Sequence, residues 1–376
     1  MQRLIFTGVV LFMATTAMAQ VHNKVLFDAT KAQMAANADW VIDASTYNIG
    51  TGTGGAMTVG AGNEANPSRY PSPAQSGITS TTAETYWKGA SSSWAVALVK
   101  QGFTVETLPV GARLTFGDAT NAQDLSTYGI FITIEPNIKY TTAEKTAIVK
   151  FVAAGGGFFM VADHTSSDRN SDGFDSLEVL NDLVNSNGIA SNVFGITFNA
   201  LNYSVTSSYV STLSTDPLLH GAAGAVAQMQ YSAGTTMVVN NTNAKGSIFR
   251  TSSRSNSDVM AAYSTYGAGK IAACGDSSPF DDGTGDTGDT LYNGWSAEVN
   301  GDHGQLAINA CLWMNPPVPP PACPSDLSGD NTVGSDDISL MLLDWGVCPG
   351  CAADLNGDNS VGSDDLSLML LDWGPC

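Results

Sequence analysis

Between Lys24 and Met314, short apolar runs alternate with amphipathic stretches. KVLFDAT from Lys24, FTVETL from Phe103, YGIFITIE from Tyr128, FFMVADH from Phe158 and GKIAACGD from Gly269 each read as a strand. SSSWAVALVKQG from Ser91 reads as a helix that stops at Gly102. TTAEKTAIVKFVAAGGG from Thr141 reads as a second helix, capped at Thr141 or Thr142, with Glu144 in its first turn. Strand-helix-strand order of this kind predicts an α/β fold: a parallel sheet covered on both faces, in three layers. Ligand sites in such sheets lie beyond the carboxyl ends of the strands.

Those strand ends carry the candidate chemistry. The predicted strands finish on Asp28, Glu135, Asp163-His164 and Asp276, and GDSSPFDDGTGDTGD (275–289) adds a loop rich in Gly and Asp at the same edge, which Asp302-His303 is expected to approach. One expectation is a carboxylate and imidazole pair, with His164 as general base or acid and Asp163, Asp28 or Asp276 orienting or ionising it. Another is a divalent metal held by Asp28, His164, Asp276 and Asp281. The bland alternative is that these acids cap turns and strand ends, where Asp is common. Asp281 and Asp282 are assigned to loop solvation or Ca²⁺. Trp87, Trp94 and Trp295 are read as core rings, with a sugar-stacking face as the alternative.

The pattern changes at NPPVPPPAC (315–323), where prolines exclude helix and sheet and favour a stiff spacer over 315–322. Beyond it, DLSGDNTVGSDDISLMLLDWG from Asp326 recurs as DLNGDNSVGSDDLSLMLLDWG from Asp354. Each copy begins as a twelve-residue oxygen loop with the 1-3-5-7-12 spacing of an EF-hand Ca²⁺ site. Asp326, Ser328, Asp330, Thr332 and Asp337 serve the first loop, and Asp354, Asn356, Asp358, Ser360 and Asp365 the second. Asn331 and Asn359 stand at position 6, which needs a left-handed residue. Val333 and Val361 are expected to pair across the two loops, and Ile338, Met341, Leu342 and Trp345 to share one helical face, closed by Gly346.

Composition narrows the partners. Fifteen basic residues against 35 acidic ones give a net charge of −20, which disfavours nucleic acid. Residues 1–19 have the basic start, short apolar run and Ala17-Met18-Ala19 ending of a signal peptide, so the mature protein is expected to be secreted, without a membrane span. In an oxidising compartment, Cys323 with Cys348 and Cys351 with Cys376 would close one disulfide around each repeat. A terminal Cys323–Cys376 clasp is the alternative, and Cys274 is a candidate to pair with Cys311.

Tandem loop-helix units with Asp at position 12, over 323–376, resemble type I dockerins. That resemblance implies a small all-α, EF-hand-like module binding two Ca²⁺, and a cohesin-like partner recognised through Ser335-Asp336 and Ser363-Asp364. FVAAGGGFFMVADH (151–164), with the strand layout of 20–314, resembles the class I glutamine amidotransferase-like superfamily, in its trehalose-utilisation-type branch. This implies a flavodoxin-like domain. The nucleophilic Cys of that superfamily is replaced by Asp163, so glutamine hydrolysis through a thiolate is disfavoured. Dockerin-bearing proteins often act on polysaccharides, so the first functional expectation is a carbohydrate-active hydrolase. The second is a noncatalytic glycan-binding or scaffold domain.

Overall fold

The computed structural model describes residues 23–43, 49–51, 57–59, 74–240, 242–285, 289–296, 299, 301–315, 323–330, 332–348 and 351–375. The expected signal peptide and the spacer after Asn315 therefore lie outside the described residues. The chain divides into two compact units, with the boundary between residues 317 and 318.

The first unit is a mixed α/β structure built on a ten-stranded sheet. Its strands are β1 (Lys24–Asp28), β2 (Thr104–Leu108), β3 (Ile130–Ile134), β4 (Gly157–Val161), β5 (Ile196–Phe198), β6 (Tyr209–Val210), β7 (Met237–Val239), β8 (Ala244–Phe249), β9 (Val259–Tyr266) and β10 (Gly269–Cys274). The order along the sheet is β2-β1-β3-β4-β10-β9-β7-β5, with β8 paired to β9 and β6. The run β2-β1-β3-β4-β10 is parallel throughout, and it contains the five strands expected from sequence. The remainder corrects the expectation of a wholly parallel sheet. From β9 outward every pairing is antiparallel, because β9 and β10 form a hairpin through the tight turn at Gly267, whose φ is +59°.

Alternation along β1 explains the layers. Val25 and Phe27 face a core with Trp94 of α1 (Ser92–Lys100) and with Leu306 and Ala310 of α4 (His303–Met314). Leu26 faces a second core with Ile148 and Val152 of α2 (Thr142–Ala153) and Leu180 and Leu183 of α3 (Ser176–Asn185). α2 starts in a capping box: Thr141 Oγ1 accepts the Glu144 N–H, and Glu144 accepts the Thr141 N–H at 2.7 Å. Among the described residues no helix is long and apolar enough to cross a membrane.

The second unit contains two loop-helix repeats, with α5 (Ser335–Leu343) and α6 (Ser363–Leu371) after the loops. Val333 and Val361 do not pair with each other. Instead Thr332–Val333 pairs with Gly374–Pro375, and Ser360–Val361 with Gly346–Val347, so each loop is tied to the strand that follows the other repeat's helix. Both valines are buried with Met341 and Met369. Of the four expected helix-face residues, Ile338 and Met341 turn inward, while Leu342 and Trp345 are exposed, as are Leu370 and Trp373 in the second repeat. A core this small accommodates only the first two. A disulfide between Cys348 and Cys351, whose Cα atoms are 5.7 Å apart, overturns the expectation of one disulfide around each repeat.

Candidate functional site

The carboxyl edge of the parallel strands gathers buried carboxylates around an arginine that the sequence reading passed over. Glu135 follows β3 directly and is fully buried. Its φ of +47° is a left-handed conformation that costs a non-glycine residue about 1–3 kcal/mol. The conformation is held by its contacts. Glu135 N–H donates to the Val161 carbonyl, Trp40 Nε1–H to Oε2 at 2.6 Å, Ser277 Oγ to Oε2 at 3.1 Å and Arg169 Nε–H to Oε1 at 2.5 Å. The same guanidinium reaches Asp163 Oδ2 through Nη2 at 2.9 Å and Asn37 Oδ1 through Nη1 at 3.2 Å.

Arg169 sits on the loop after β4, which closes on itself by local bonds. Asp168 accepts the N–H groups of Asp172 and Gly173, and Asp172 accepts that of Phe174. Asp354 and Asp358 make the corresponding bonds in the second C-terminal loop. Arg169 N–H also donates to Asn137 Oδ1 at 3.0 Å. Its position was signalled in sequence only as a single basic residue in an acidic loop after a strand that ends in Asp.

Asp276 follows β10 and is fully buried. Ser232 N–H donates to Oδ2 at 2.7 Å and Ser278 N–H to Oδ1 at 2.9 Å. Burial pushes its carboxyl up to about 7 against those donors, and the charge of Glu135 adds to the rise. Burial likewise holds Asp163 well above the usual carboxylate range, with Glu135 and Asp276 adding to the effect and Arg169 opposing it. His164 is more accessible. Its Nδ1 lies 2.6 Å from the Thr165 carbonyl and 2.9 Å from the Asn202 side-chain amide, and its Nε2 lies 3.7 Å from Asp163 Oδ2.

Asp28 stands apart from this group. Its oxygens accept from Thr30 N–H and Oγ1, from Thr133 Oγ1 and, at 2.5 Å, from the buried Tyr140 hydroxyl. No bond links it to Glu135, Asp163 or Asp276 among the described residues. The expected metal set of Asp28, His164, Asp276 and Asp281 is not gathered either: among the described residues the one trio of potential ligands within mutual reach is Asp344, Cys348 and Cys351. The two sulfurs of that trio are already joined as a disulfide. In the α/β unit the positive charge beside the acids comes from Arg169.

Asp281 and Asp282 are buried, which corrects their reading as solvated loop residues. Asp281 accepts the N–H groups of Gly283 and Tyr292, and burial pushes its carboxyl up to about 6. Asp282 accepts from Thr284 and from Ser93 N–H at the start of α1. Cys274 and Cys311 are free and buried, not paired, and burial pushes each thiol up to about 12. Neither is suited to act as a thiolate.

Beside Asp276 lies a polar cavity of about 100 Å³, lined by Gln230, Ser232, Ser278, Tyr292, Gly294 and His303. His303 accepts the Gln230 N–H at Nε2 and bonds the Gly294 carbonyl through Nδ1, which fixes it as the neutral Nδ1–H tautomer. Asp302 accepts the N–H groups of Ala227 and Gln228. The Tyr292 hydroxyl is pushed up first by burial and then by the charge of Asp163, so it belongs to the same electrostatic neighbourhood.

In the C-terminal unit, each position-1 and position-12 acid is turned into its own loop. Asp326 accepts Gly329 N–H at 2.7 Å, and Asp337 accepts Ser328 and Gly334 N–H at 2.8 and 2.7 Å. Asp354 accepts Gly357 N–H at 2.8 Å, and Asp365 accepts Leu355, Asn356 and Gly362 N–H at 2.9, 3.1 and 2.8 Å. Asp330 and Asp358 accept the N–H groups of Thr332 and Ser360. Asn359 has a φ of +69°, the left-handed conformation expected at position 6, and Asn331 lies outside the described residues. Ser335, Asp336, Ser363 and Asp364 are exposed on the first turns of α5 and α6.

No family model and no curated protein matches the chain. Among solved structures it is similar to the N-terminal domain of mmIFT52, at 17% identity over 58% of this chain and 87% of that one, with a TM-score of 0.39. A cytoplasmic protein from Salmonella typhimurium is similar at 12% identity over 77% of this chain and 98% of its own, with a TM-score of 0.40. A cold-adapted β-galactosidase from Rahnella sp. R3 is similar at 14% identity over 49% of this chain and 24% of its own, with a TM-score of 0.31.

Proposed function

We propose that this is a secreted two-module protein, in which a Ca²⁺-dependent, dockerin-like module attaches a flavodoxin-like α/β domain to a cohesin-like partner. The observation that carries the docking role is the equivalence of the two repeats. Each puts acids at loop positions 1, 5 and 12 on the same kind of backbone donors. Each also leaves a Leu exposed at the end of its helix and a Trp just beyond, Leu343 with Trp345 and Leu371 with Trp373. Apolar side chains left outside a small core, beside the Ser-Asp pairs, suit a partner surface. The test is surface plasmon resonance against a panel of type I cohesins. Binding is expected in Ca²⁺ and lost in EDTA; binding to no cohesin in either condition would sink the docking role.

For the α/β domain we propose hydrolysis of a polysaccharide. Asp276 keeps a proton near neutrality while bonded to Ser232 and Ser278 of a polar cavity, and His164 brings its Nε2 to 3.7 Å from Asp163 Oδ2. One carboxyl able to give a proton and one imidazole able to take it are what general acid-base hydrolysis needs. The glutamine amidotransferase-like resemblance contributes the fold only, since both thiols are buried. A noncatalytic domain is the second reading, favoured by the burial of Glu135, Asp163 and Asp276 and by their protein partners. Reducing-end assays on cellulose, xylan, mannan and β-glucan separate the two. Turnover lost in both Asp276→Asn and His164→Ala, with unchanged circular dichroism, is the outcome for hydrolysis. No turnover of any of the four by the wild type is the outcome for the noncatalytic domain.

A further inference from the structure

A second and larger void lies in the same unit as the acid site. It is a cleft of about 610 Å³ between the end of α1 and the start of α4, within the range of about 300–1,000 Å³ typical of small-molecule pockets. Small residues create it: Ala97, Ala222, Ala223, Gly301 and Gly304 surround the edge of one indole, Trp295. A Cβ at Gly304 would lie 3.2 Å from that ring, so the glycine keeps the indole edge open. Trp295 is itself held in place, stacked on Trp94 and donating from Nε1 to Glu84 Oε2 at 2.7 Å.

The remaining lining decides the ligand class. Among the described lining residues the charged groups are Glu84 and Lys100, 3.8 Å apart, and they offset each other. Gln101, Ser296 and Gln305 supply neutral donors and acceptors. An apolar ligand would strip these groups of water without replacing their bonds, and an ion would meet no net countercharge. A neutral polyol satisfies the amides and hydroxyls and can set its oxygens against the electropositive indole edge. The cleft and the small cavity are lined by residues that neighbour one another in the chain. Tyr292 and Gly294 face the small cavity while Trp295 and Ser296 face the cleft, and at the start of α4 His303 faces the one and Gly304 and Gln305 the other.

We propose that this cleft is the binding subsite for a neutral oligosaccharide. The inference rests on the hydrolase reading for its role in turnover but stands on its own for binding. The test is isothermal titration calorimetry of the Ca²⁺-loaded full chain with cellohexaose, xylohexaose, mannohexaose and laminarihexaose, and with trigalacturonate as the charged control. At least one neutral hexasaccharide is expected to bind and trigalacturonate to bind at least tenfold more weakly. Gln305→Ala with Gln101→Ala, both at exposed positions, is expected to raise the Kd of that sugar at least tenfold, and Trp295→Phe to raise it while leaving the melting temperature readable as a check on folding. No heat with any neutral hexasaccharide, or a Kd unmoved by both variants, would overturn the inference. Asp276→Asn separates it from the hydrolase reading. Binding without turnover in the wild type would remove the hydrolase and leave the subsite, whereas turnover without any effect of the cleft variants on KM or Kd would remove the subsite and leave the hydrolase.

Discussion

Arg169 donates from Nε to Glu135 Oε1 at 2.5 Å, across 34 positions of the chain. Glu135 has no exposure at all, while the arginine side chain keeps about a fifth of its own. The pair therefore joins a fully desolvated charge to one that still touches water, and Arg169 also carries Asp163 on its other nitrogen.

Removing the arginine should leave two buried acids without their cation. Breaking a buried ion pair from one side costs about 3–5 kcal/mol, and the partial exposure of Arg169 places Arg169→Leu toward the lower end. Arg169→Lys keeps the charge but cannot span both carboxylates as a planar fork, so an intermediate loss is expected. Urea unfolding of the three proteins measures this order, and a leucine variant as stable as the wild type would show that the cluster does not depend on the guanidinium.

Stability should also fall as pH rises from about 4 to about 7. Asp276 and Asp281 have folded-state values of about 7 and about 6, above the ordinary 3.8, and Asp163 is raised as well. Between the ordinary and the raised value the native state holds protons that the unfolded chain has released. Stability from these groups is thus complete below about 4 and lost as pH passes the folded value, by up to about 1.4 kcal/mol per pH unit for each proton. Melting temperatures between pH 4 and pH 8 are expected to decline, less steeply in Asp276→Asn. A slope of the opposite sign in the wild type, or one unchanged in the variant, would contradict the assignment.

A glycine on the covering hairpin fixes the geometry of Asp276. Gly234 ends the Met229–Gly234 strand, which pairs with Tyr203–Ser207. A Cβ there would lie 2.6 Å from Asp276 Cβ and 2.9 Å from the Gly275 carbonyl. Neither atom is the end of a flexible chain, so Gly234→Ala must shift the backbone beside the acid, at a cost of about 1–3 kcal/mol. Chemical denaturation gives the loss directly. An alanine variant with wild-type stability would mean that the hairpin yields freely at this point.

The sequence made the five parallel strands legible because each is a short apolar run bounded by turn residues, and it marked Glu135, Asp163 and Asp276 because each directly follows such a run. It did not mark their convergence with Arg169, whose loop is irregular and whose partner is 34 residues away. Asp28 looked equivalent to the others by position, but its bond to Tyr140 holds it in a separate network, and nothing local encodes that choice. In the antiparallel half, β5 and β7 are only three residues each and β6 two, too short to show a period, although β8 and β9 run to six and eight. In the C-terminal unit the repeat was plain, but symmetric sequences leave open which strand pairs with which. The equal spacing of the cysteines pointed to one disulfide around each repeat, whereas Cys348 bonds Cys351, three residues on, in the link between the repeats.

The proposed Ca²⁺ role of the two repeats predicts a measurable stoichiometry. In each loop the position-12 acid does two jobs, accepting N–H groups near position 3 and the N–H at the start of its helix. Those donors hold Asp337 and Asp365 below the usual carboxylate range despite the opposing effect of burial. Both are therefore ionised at neutral pH, ready to supply the oxygen pair that closes an EF-hand-type loop. Calorimetry on protein first stripped with EDTA is expected to show two Ca²⁺ per chain. Asp337→Ala or Asp365→Ala alone should leave one, and the two together none, with the melting transition of the C-terminal unit no longer raised by Ca²⁺ because binding and folding are linked. Two equivalents retained in the double variant would mean that the metal sits elsewhere and that the duplicated loops are hydrogen-bonded turns.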